Sequence, residues 1–467
     1  MRPKAAKSRL TTGARTGISL AMLESGRSRW LRVFLAPAAA LIVFLVTSPA
    51  HAYNWMIKHG YGGCPVCHAD PTGGELLTKY GRDMGDQFLR MRYGETGGAS
   101  ESGSTGTDFG GFDDFDEEDS AKPEAKQEEE KPKEEVKPAE PSKFPDFLFG
   151  AVPLPDPLLM GGSARLAWTL KEGDFRIFPM QLDVYGQLRF GDFRVGGSLG
   201  VSKVPVGSPH ARAAQLTSGQ GDQWNLISRS HWVGMDFMNQ EITLRLGRMN
   251  VPFGLRIPEH VMWVREATRT DRESDQQGGL ALAYNGSDLR GEILAIAGNY
   301  SINPDMYRER GYSLYLEYMT SSRAAVGISS LVTKAARDRL YLNETDVLRM
   351  AHGAFVRGTL GDPFVLLVEA DLLKRSATEM GYVGMIQLDY EPTQGLHFIA
   401  TGEVLDNGYP EGGGPTQSAR VEGQGKPKLG GWLSAAWFFY THFDVRVDAI
   451  KRQTEPFTIL GQLHVYL

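Results

Sequence analysis

Two thiols three positions apart, followed at once by an imidazole, stand at Cys64-Pro65-Val66-Cys67-His68. This CxxCH pattern is the attachment site of a c-type haem. Each thiol can add to one vinyl group of the same porphyrin, and the adjoining histidine is then held beneath the iron as proximal ligand. The chain has only 2 Cys, both in this motif, so no thiol remains for a disulfide elsewhere. Gly62 and Gly63 precede the motif and, lacking Cβ, let backbone approach a macrocycle closely.

Other chemistries for the same residues are weaker. A redox-active Cys64–Cys67 disulfide calls for a βαβ context, and none is visible nearby. A zinc site needs further ligands at finger spacing, and no second cysteine pair exists. The start of the chain supplies the matching compartment. Residues 1–32 are basic, Val33–Val46 form an apolar run, and Ala50-His51-Ala52 offers small residues for cleavage. That run is about 14 residues, short of the ~20 that span a bilayer. Residues 1–52 therefore read as a secretory signal, with a mature chain from Tyr53. An uncleaved anchor is the alternative, and translation could also begin at Met22.

The elements that must position the motif follow. Residues 53–94 are expected to form a small α-helical monohaem domain of about 40 residues, too few for a secure core unless a porphyrin supplies its centre. Leu76, Leu77, Tyr80, Met84, Phe88 and Met91 recur at spacings of three and four, which predicts an amphipathic helix over Gly74–Arg92. Met84, Met91, Met56 and His59 are the candidate sixth ligands, with Met84 taken forward. A thioether there raises the potential relative to two histidines. Residues 95–143 are a Gly/Ser/Glu- then Pro/Lys/Glu-rich linker, expected to be disordered. Its root-mean-square span is about 40 Å. Within it Phe109, Phe112 and Phe115 punctuate an acidic run that could dock a basic partner.

From residue 144 to 467 the pattern becomes period two. Leu182, Val184 and Leu188 alternate with Gln181, Asp183, Gln187 and Arg189; Phe443, Val445 and Val447 alternate with Asp444, Arg446 and Asp448. Short turns near 190–192, 238–240, 285–288, 320–323, 360–363, 391–395 and 439–442 interleave with connections that are often long: 202–224, 251–278, 298–310, 333–349 and 406–428. Short turns on one rim and longer loops on the other describe a transmembrane β-barrel of about 16 antiparallel strands, with roughly 14 to 18 compatible. Aromatics beside the short turns, among them Tyr318, Tyr390 and Phe438-Phe439-Tyr440, suit an interfacial girdle. The final strand, Phe457–Leu467, places Ile459, Leu463, Val465 and Leu467 on one face. Asp183, Arg189, Glu241, Arg245, Asp389, Glu403, Asp444 and Arg446 are assigned to the lumen. Glu259, His260, Glu266, Asp271 and Glu273, in the long loop that follows Gly247–Gly254, could hold a cation at the outer surface or simply be a polar loop.

Two resemblances add to this reading. Gly247-Arg248-Met249-Asn250-Val251-Pro252-Phe253-Gly254 resembles the GR…PFG segment of phosphate-selective-type porins. CxxCH after a signal peptide, then Leu77-Thr78-Lys79-Tyr80-Gly81-Arg82, then a barrel, resembles the fused outer-membrane cytochrome–porins of iron-oxidising bacteria. The second resemblance implies one covalent haem c on Cys64 and Cys67 with His68 on the iron. It further implies an outer-membrane location with lipid around the barrel, an extracellular donor or acceptor such as Fe(II), and periplasmic electron carriers as partners. The expectation is thus an outer-membrane electron conduit whose haem lies on the periplasmic side or in the lumen. The alternatives are a passive porin whose haem domain senses redox state or tethers a partner, and a disulfide oxidoreductase fused to a barrel. No constellation for proton-transfer or nucleophilic catalysis surrounds the motif, and no nucleic acid is expected among the partners.

Overall fold

The computed structural model describes residues 56–59, 63–71, 73–91, 147–148, 151–298, 306–342, 344–376, 378–408, 427–453 and 455–467. The expected signal sequence and nearly all of the expected linker, with its three phenylalanines, lie outside them.

Seventeen strand segments form one sheet that closes on itself. They run β1 Leu158–Lys171, β2 Asp174–Phe190, β3 Phe193–Lys203, β4 Trp224–Ile227, β5 His231–Phe237, β6 Ile242–Met249, β7 Gln277–Asn285, β8 Leu289–Gly298, β9 Arg310–Ser321, β10 Ala324–Arg337, β11 Thr345–Thr359, β12 Phe364–Arg375, β13 Gly381–Thr393, β14 Leu396–Asp406, β15 Lys428–Tyr440, β16 Phe443–Arg452 and β17 Thr458–Tyr466. β4 and β5 both pair with β3, Trp224 opposite Lys203 and His231 opposite Gly197, so they are two halves of one interrupted strand. The barrel therefore has sixteen strands, all antiparallel to their neighbours, and β1 closes it against β17 from Ser163↔Tyr466 to Lys171↔Thr458. The first strand begins at Leu158, later than residue 144, because Pro153, Pro155 and Pro157 withhold N–H donors from any ladder.

The alternating pattern folds as a lipid-facing cylinder. Leu182, Leu246, Ile386 and Leu433 are each more than half exposed on the outside, while Asp183, Arg245, Asp389 and Glu403 are buried inside. In water an apolar belt of this extent is an aggregation surface; around a closed barrel it matches a hydrocarbon slab. Among the described residues no helix is long and apolar enough to cross a membrane. One rim carries only connections of two to four residues, and the other carries 204–223, 250–276, 299–309 and 407–427. Tyr318, Tyr390 and Tyr440 stand exposed beside the short-turn rim. Phe438 departs from the expected girdle: it continues the inward series of Trp432, Ser434 and Ala436 and lines the lumen, while Trp437 faces out. Leu467 also leaves the outer face, since its backbone pairs with Gly162 (2.8 Å from Leu467 N to the Gly162 carbonyl) and its side chain reaches the lumen.

The lumen is filled. From the long-loop rim, residues 250–276 fold inward around the short helix Trp263–Thr268. Leu255, Ile257, Met262, Trp263 and Val264 pack against Phe355, Val365, Leu367, Trp432 and Ile450 of the wall, with Ile57 joining from the N-terminal segment. Polar anchors surround this apolar cluster. Glu259 meets Arg446 at 2.6 Å, Arg269 meets Asp338 at 2.8 Å, and Trp263 N donates to Glu403 Oε1 at 2.6 Å.

The segment carrying the motif occupies the other half. Asp70 pairs with wall residue Arg245 at 2.6 Å, and Arg245 also holds Glu292 at 2.6 Å. Arg194 donates to the Ala69 carbonyl at 3.2 Å, Arg82 donates to the Met160 carbonyl, and Lys58 pairs with Glu391 at 2.9 Å. Near the short-turn rim, Met91 N donates to the Phe438 carbonyl at 2.8 Å, and Gln394 Nε2 donates to the carbonyls of Gln87 and Arg90. The expected helix over Gly74–Arg92 is shorter than its apolar spacing implied. Gly73, Gly74 and Glu75 have positive φ, which a helix does not admit. The helix starts at Lys79 with Thr78 as N-cap accepting from Gly81 N, runs to Met84, and passes into a π turn over Gly85–Leu89.

Candidate functional site

A turn of helix, Cys64–Cys67, presents both thiols and His68 to one cavity of about 1960 Å³, part of it open to solvent. The cavity lies inside the barrel. Leu77, Met84 and Leu89 line it from the segment, Tyr185, Tyr315 and Phe438 from the wall, and Arg256, Ile257, His260 and Arg272 from the inward loop.

Local geometry fixes the motif. Gly74 is required by its φ of +83°, and its missing Cβ lets the Arg272 guanidinium lie against the backbone. Its carbonyl accepts from His68 Nδ1 at 3.0 Å. That bond places the ring proton on Nδ1 and turns Nε2 into the lone-pair donor. Gly81 is required by contact, since a Cβ would stand 2.1 Å from the Cys67 carbonyl oxygen. The helix Lys79–Met84 can therefore lie directly on the motif, and Thr78 N donates back to the same Cys67 carbonyl at 2.9 Å.

Electrostatics favour neutral groups at the motif. Burial, reinforced by the Arg272 charge, pushes the His68 imidazolium down to about 4, so the ring is neutral at ordinary pH, as ligation requires. Burial pushes the Cys67 thiol up to about 11, unlike the reactive thiolate of a disulfide oxidoreductase. Both cysteines are free. Burial also lifts Glu75 and Asp271 to about 7, although serine hydroxyls (Ser230 and Ser274) hydrogen-bond to each.

The arrangement fits a covalently attached haem on three counts. Two thiols and an oriented imidazole share one cavity, the neighbouring glycines permit close backbone approach, and two of the lining residues, Arg165 and Arg256, each carry a buried Nε with no hydrogen-bond partner. Of the candidate sixth ligands, Met84 and Met56 line the cavity. Met91 does not: its sulfur accepts from Trp437 Nε1 at 3.1 Å. The His59 side chain lies outside the described residues. Loop residue His260, which the sequence offers only as a cation ligand, and wall residues His397 and His464, which it does not single out, also line the cavity. His464 is held by Asp444 and Ser163, at 2.9 and 3.0 Å, and His397 by Asp389 at 3.0 Å. No motif links these strand residues to the haem segment; only closing the barrel brings them there.

The loop acids are not gathered at the outer surface. Glu259 is paired with Arg446, Glu273 approaches Arg229 at 3.5 Å, and Asp271 accepts from Ser274 Oγ at 2.6 Å inside the lumen. Among the described residues no three His, Cys, Asp or Glu side chains are placed to hold a metal ion.

Fold and site together define a closed sixteen-stranded antiparallel barrel whose lumen encloses a CxxCH segment. No family model and no curated protein matches the chain. Solved structures similar to it include the in-vitro folded, trimeric form of OmpT of Vibrio cholerae, at 12% identity over 66% of this chain and 99% of that one, with a TM-score of 0.48. The outer membrane channel DcaP of Acinetobacter baumannii aligns at 12% identity over 66% of this chain and 97% of that one, TM-score 0.45. An anion-selective porin from Comamonas acidovorans does so at 12% over 66% and 99%, TM-score 0.44. At these levels nothing about solute, partner or assembly carries over to this chain.

Proposed function

We propose that the protein is an outer-membrane electron conduit. It carries one haem c bound covalently through Cys64 and Cys67, with His68 as proximal ligand and Met84 as distal ligand. When bound, the haem supplies a one-electron couple between an extracellular donor or acceptor, such as Fe(II), and periplasmic carriers. The chain's own residues supply the rest. His68 is oriented by the Gly74 carbonyl, the helix Lys79–Met84 covers the motif, and the wall excludes water from one side of the cavity. The observation that carries this reading is that a single cavity is bounded both by the CxxCH motif and by the loop reaching in from the opposite rim. A redox centre held there stands within reach of both mouths. The passive-porin reading is disfavoured by the apolar cluster that fills the lumen beside it.

The test uses the full-length protein reconstituted in liposomes. Wild type is expected to show covalent haem staining and a c-type spectrum, and the haem should be reduced by an impermeant reagent added on the long-loop side. Cys64→Ser/Cys67→Ser should lose the covalent haem altogether. A wild-type protein that exports and folds without covalent haem, or whose haem ignores the impermeant reagent while sugars leak freely, would sink the proposal.

A further inference from the structure

Most arginines in the lumen are neutralised by a carboxylate: Arg194 by Asp236, Arg245 by Asp70 and Glu292, Arg290 and Arg357 by Glu317, Arg446 by Glu259, Arg452 by Glu403. Three that line the cavity of the CxxCH motif are different. Arg165, from β1, and Arg256 and Arg272, from the two ends of the inward loop, have no carboxylate within ion-pair distance among the described residues. None of the three is exposed. Their charged or aromatic company is looser: Glu273 lies near Arg165 and Arg272, Glu75 near Arg272 and Glu292 near Arg256, and the Arg256 guanidinium stands 5.0 Å from the Tyr315 ring. Unpaired guanidinium groups in a low-dielectric cavity are costly unless an anion joins them.

We infer that Arg165, Arg256 and Arg272 are the carboxylate clamp of this cavity and hold the two propionates of the haem. This rests on the haem reading above. A c-type haem attached at its vinyl edge carries two carboxylates at another edge, and Arg presents paired N–H donors that match a carboxylate bidentately. The clamp ties together parts far apart in sequence. The thioethers belong to the N-terminal segment, one guanidinium to the first strand, and two to the loop from the opposite rim. Binding the cofactor thus locks the inward loop to the docked segment.

The experiment takes the full-length haem-loaded protein in detergent and compares wild type with Arg165→Gln, Arg256→Gln, Arg272→Gln, the triple variant and the matching Arg→Lys series. Heat-modifiable gel mobility reports whether the barrel has folded. Covalent haem content should stay at the wild-type level throughout. The resonance Raman propionate-bending bands should shift in each Gln variant and most in the triple. The midpoint potential should fall stepwise, because removing cations near the iron favours the ferric state. The Lys series should stay nearer wild type. Folded triple variant with unchanged propionate bands and potential overturns the clamp. So does a titration in which inorganic phosphate perturbs wild type and not the triple while the propionate bands stay fixed, since the arginines then serve a free anion. Absence of covalent haem from wild type is a separate failure, that of the conduit itself.

Discussion

The two halves of the lumen are filled by different means. The half nearer the long loops holds residues 250–276, contiguous with β6 and β7, bound by an apolar cluster and by ion pairs to Glu369, Asp338, Arg446 and Arg339. The half nearer the short turns holds residues 56–91, which the sequence separates from the barrel by a charged, low-complexity stretch. It is held by a few ion pairs, by backbone carbonyls accepting from the wall, and by smaller apolar contacts, Ile57 on the loop's cluster and Ala69 and Leu76 on Tyr185. The loop must enter as the strands assemble, because its ends are already fixed in them. The motif segment is not continuous with the strands that hold it, and the cavity of the CxxCH motif lies between the two halves. One half is a permanent core; the other is a docked insert.

The sharpest way to break this contrast is to remove the strongest anchor of the insert. Arg245→Leu leaves Asp70 and Glu292 buried without their cation. Breaking a buried pair in this way costs about 3–5 kcal/mol. That loss should fall on docking, with the barrel still resistant to heat on gels while residues 56–91 become cleavable by protease from the short-turn side. A variant that melts the barrel and leaves the segment protected would show that the insert is core after all. The loop should respond differently. Trp263→Ala removes a ring that is 1% exposed, stacked by Arg452 at 4.7 Å and central to the apolar cluster. A loss of about 3 kcal/mol is expected, together with higher ion conductance in planar bilayers. Unchanged conductance would mean that the cluster is not what closes the lumen.

The period-two alternation made the wall of this molecule legible, since each strand needs one face for lipid and one for the lumen. The interrupted strand keeps the alternation within each half, but the register against β3 slips by one residue between them, Ile227 lying opposite Gly200 and His231 opposite Gly197. What fills the lumen was hidden for two physical reasons. First, β12 sends Val365 and Leu367 inward while Leu366 and Leu372 face out, so its apolar residues do not say which side is which. Second, the acids of the inward loop read as solvent-exposed because their partners are remote: Glu259 finds Arg446 and Trp263 finds Glu403 only once the barrel closes. The CxxCH chemistry was readable as a motif. The unpaired Arg165, Arg256 and Arg272 were not, because an arginine without a carboxylate is defined by what surrounds it in space.

A smaller effect should come from pH. Glu75 sits on the insert and faces Asp70, Glu273, Arg272 and Ser230, with its carboxyl lifted by burial to about 7. Its folded value lies above the ordinary 4.5, so the docked state holds the extra proton between those limits. Its contribution is favourable below about 4.5 and is lost as pH rises through about 7. Protease protection of residues 56–91 should therefore weaken from pH 5 to pH 8, and Glu75→Gln should flatten that slope. Asp271, also lifted to about 7, titrates in the same window, so it is the difference between wild type and Glu75→Gln that isolates Glu75. Equal slopes in the two proteins would remove Glu75 from the docking balance.

The smallest effect belongs to Lys79, which reaches Asp156 at 3.4 Å across the short-turn mouth, its side chain partly exposed and that of Asp156 fully so. Solvated pairs of this kind contribute about 0–1 kcal/mol and are screened by salt. Lys79→Ala should leave segment protection, haem content and barrel melting within error of wild type at ordinary ionic strength. That near-silence is informative against Arg245→Leu. Both residues join the insert to the barrel by one ion pair, and they differ chiefly in burial, one at the open mouth and one wholly enclosed. Should Lys79→Ala release the segment as readily as Arg245→Leu, docking would be governed by charges at the mouth, and the enclosed Asp70–Arg245–Glu292 triad would lose its place as the anchor.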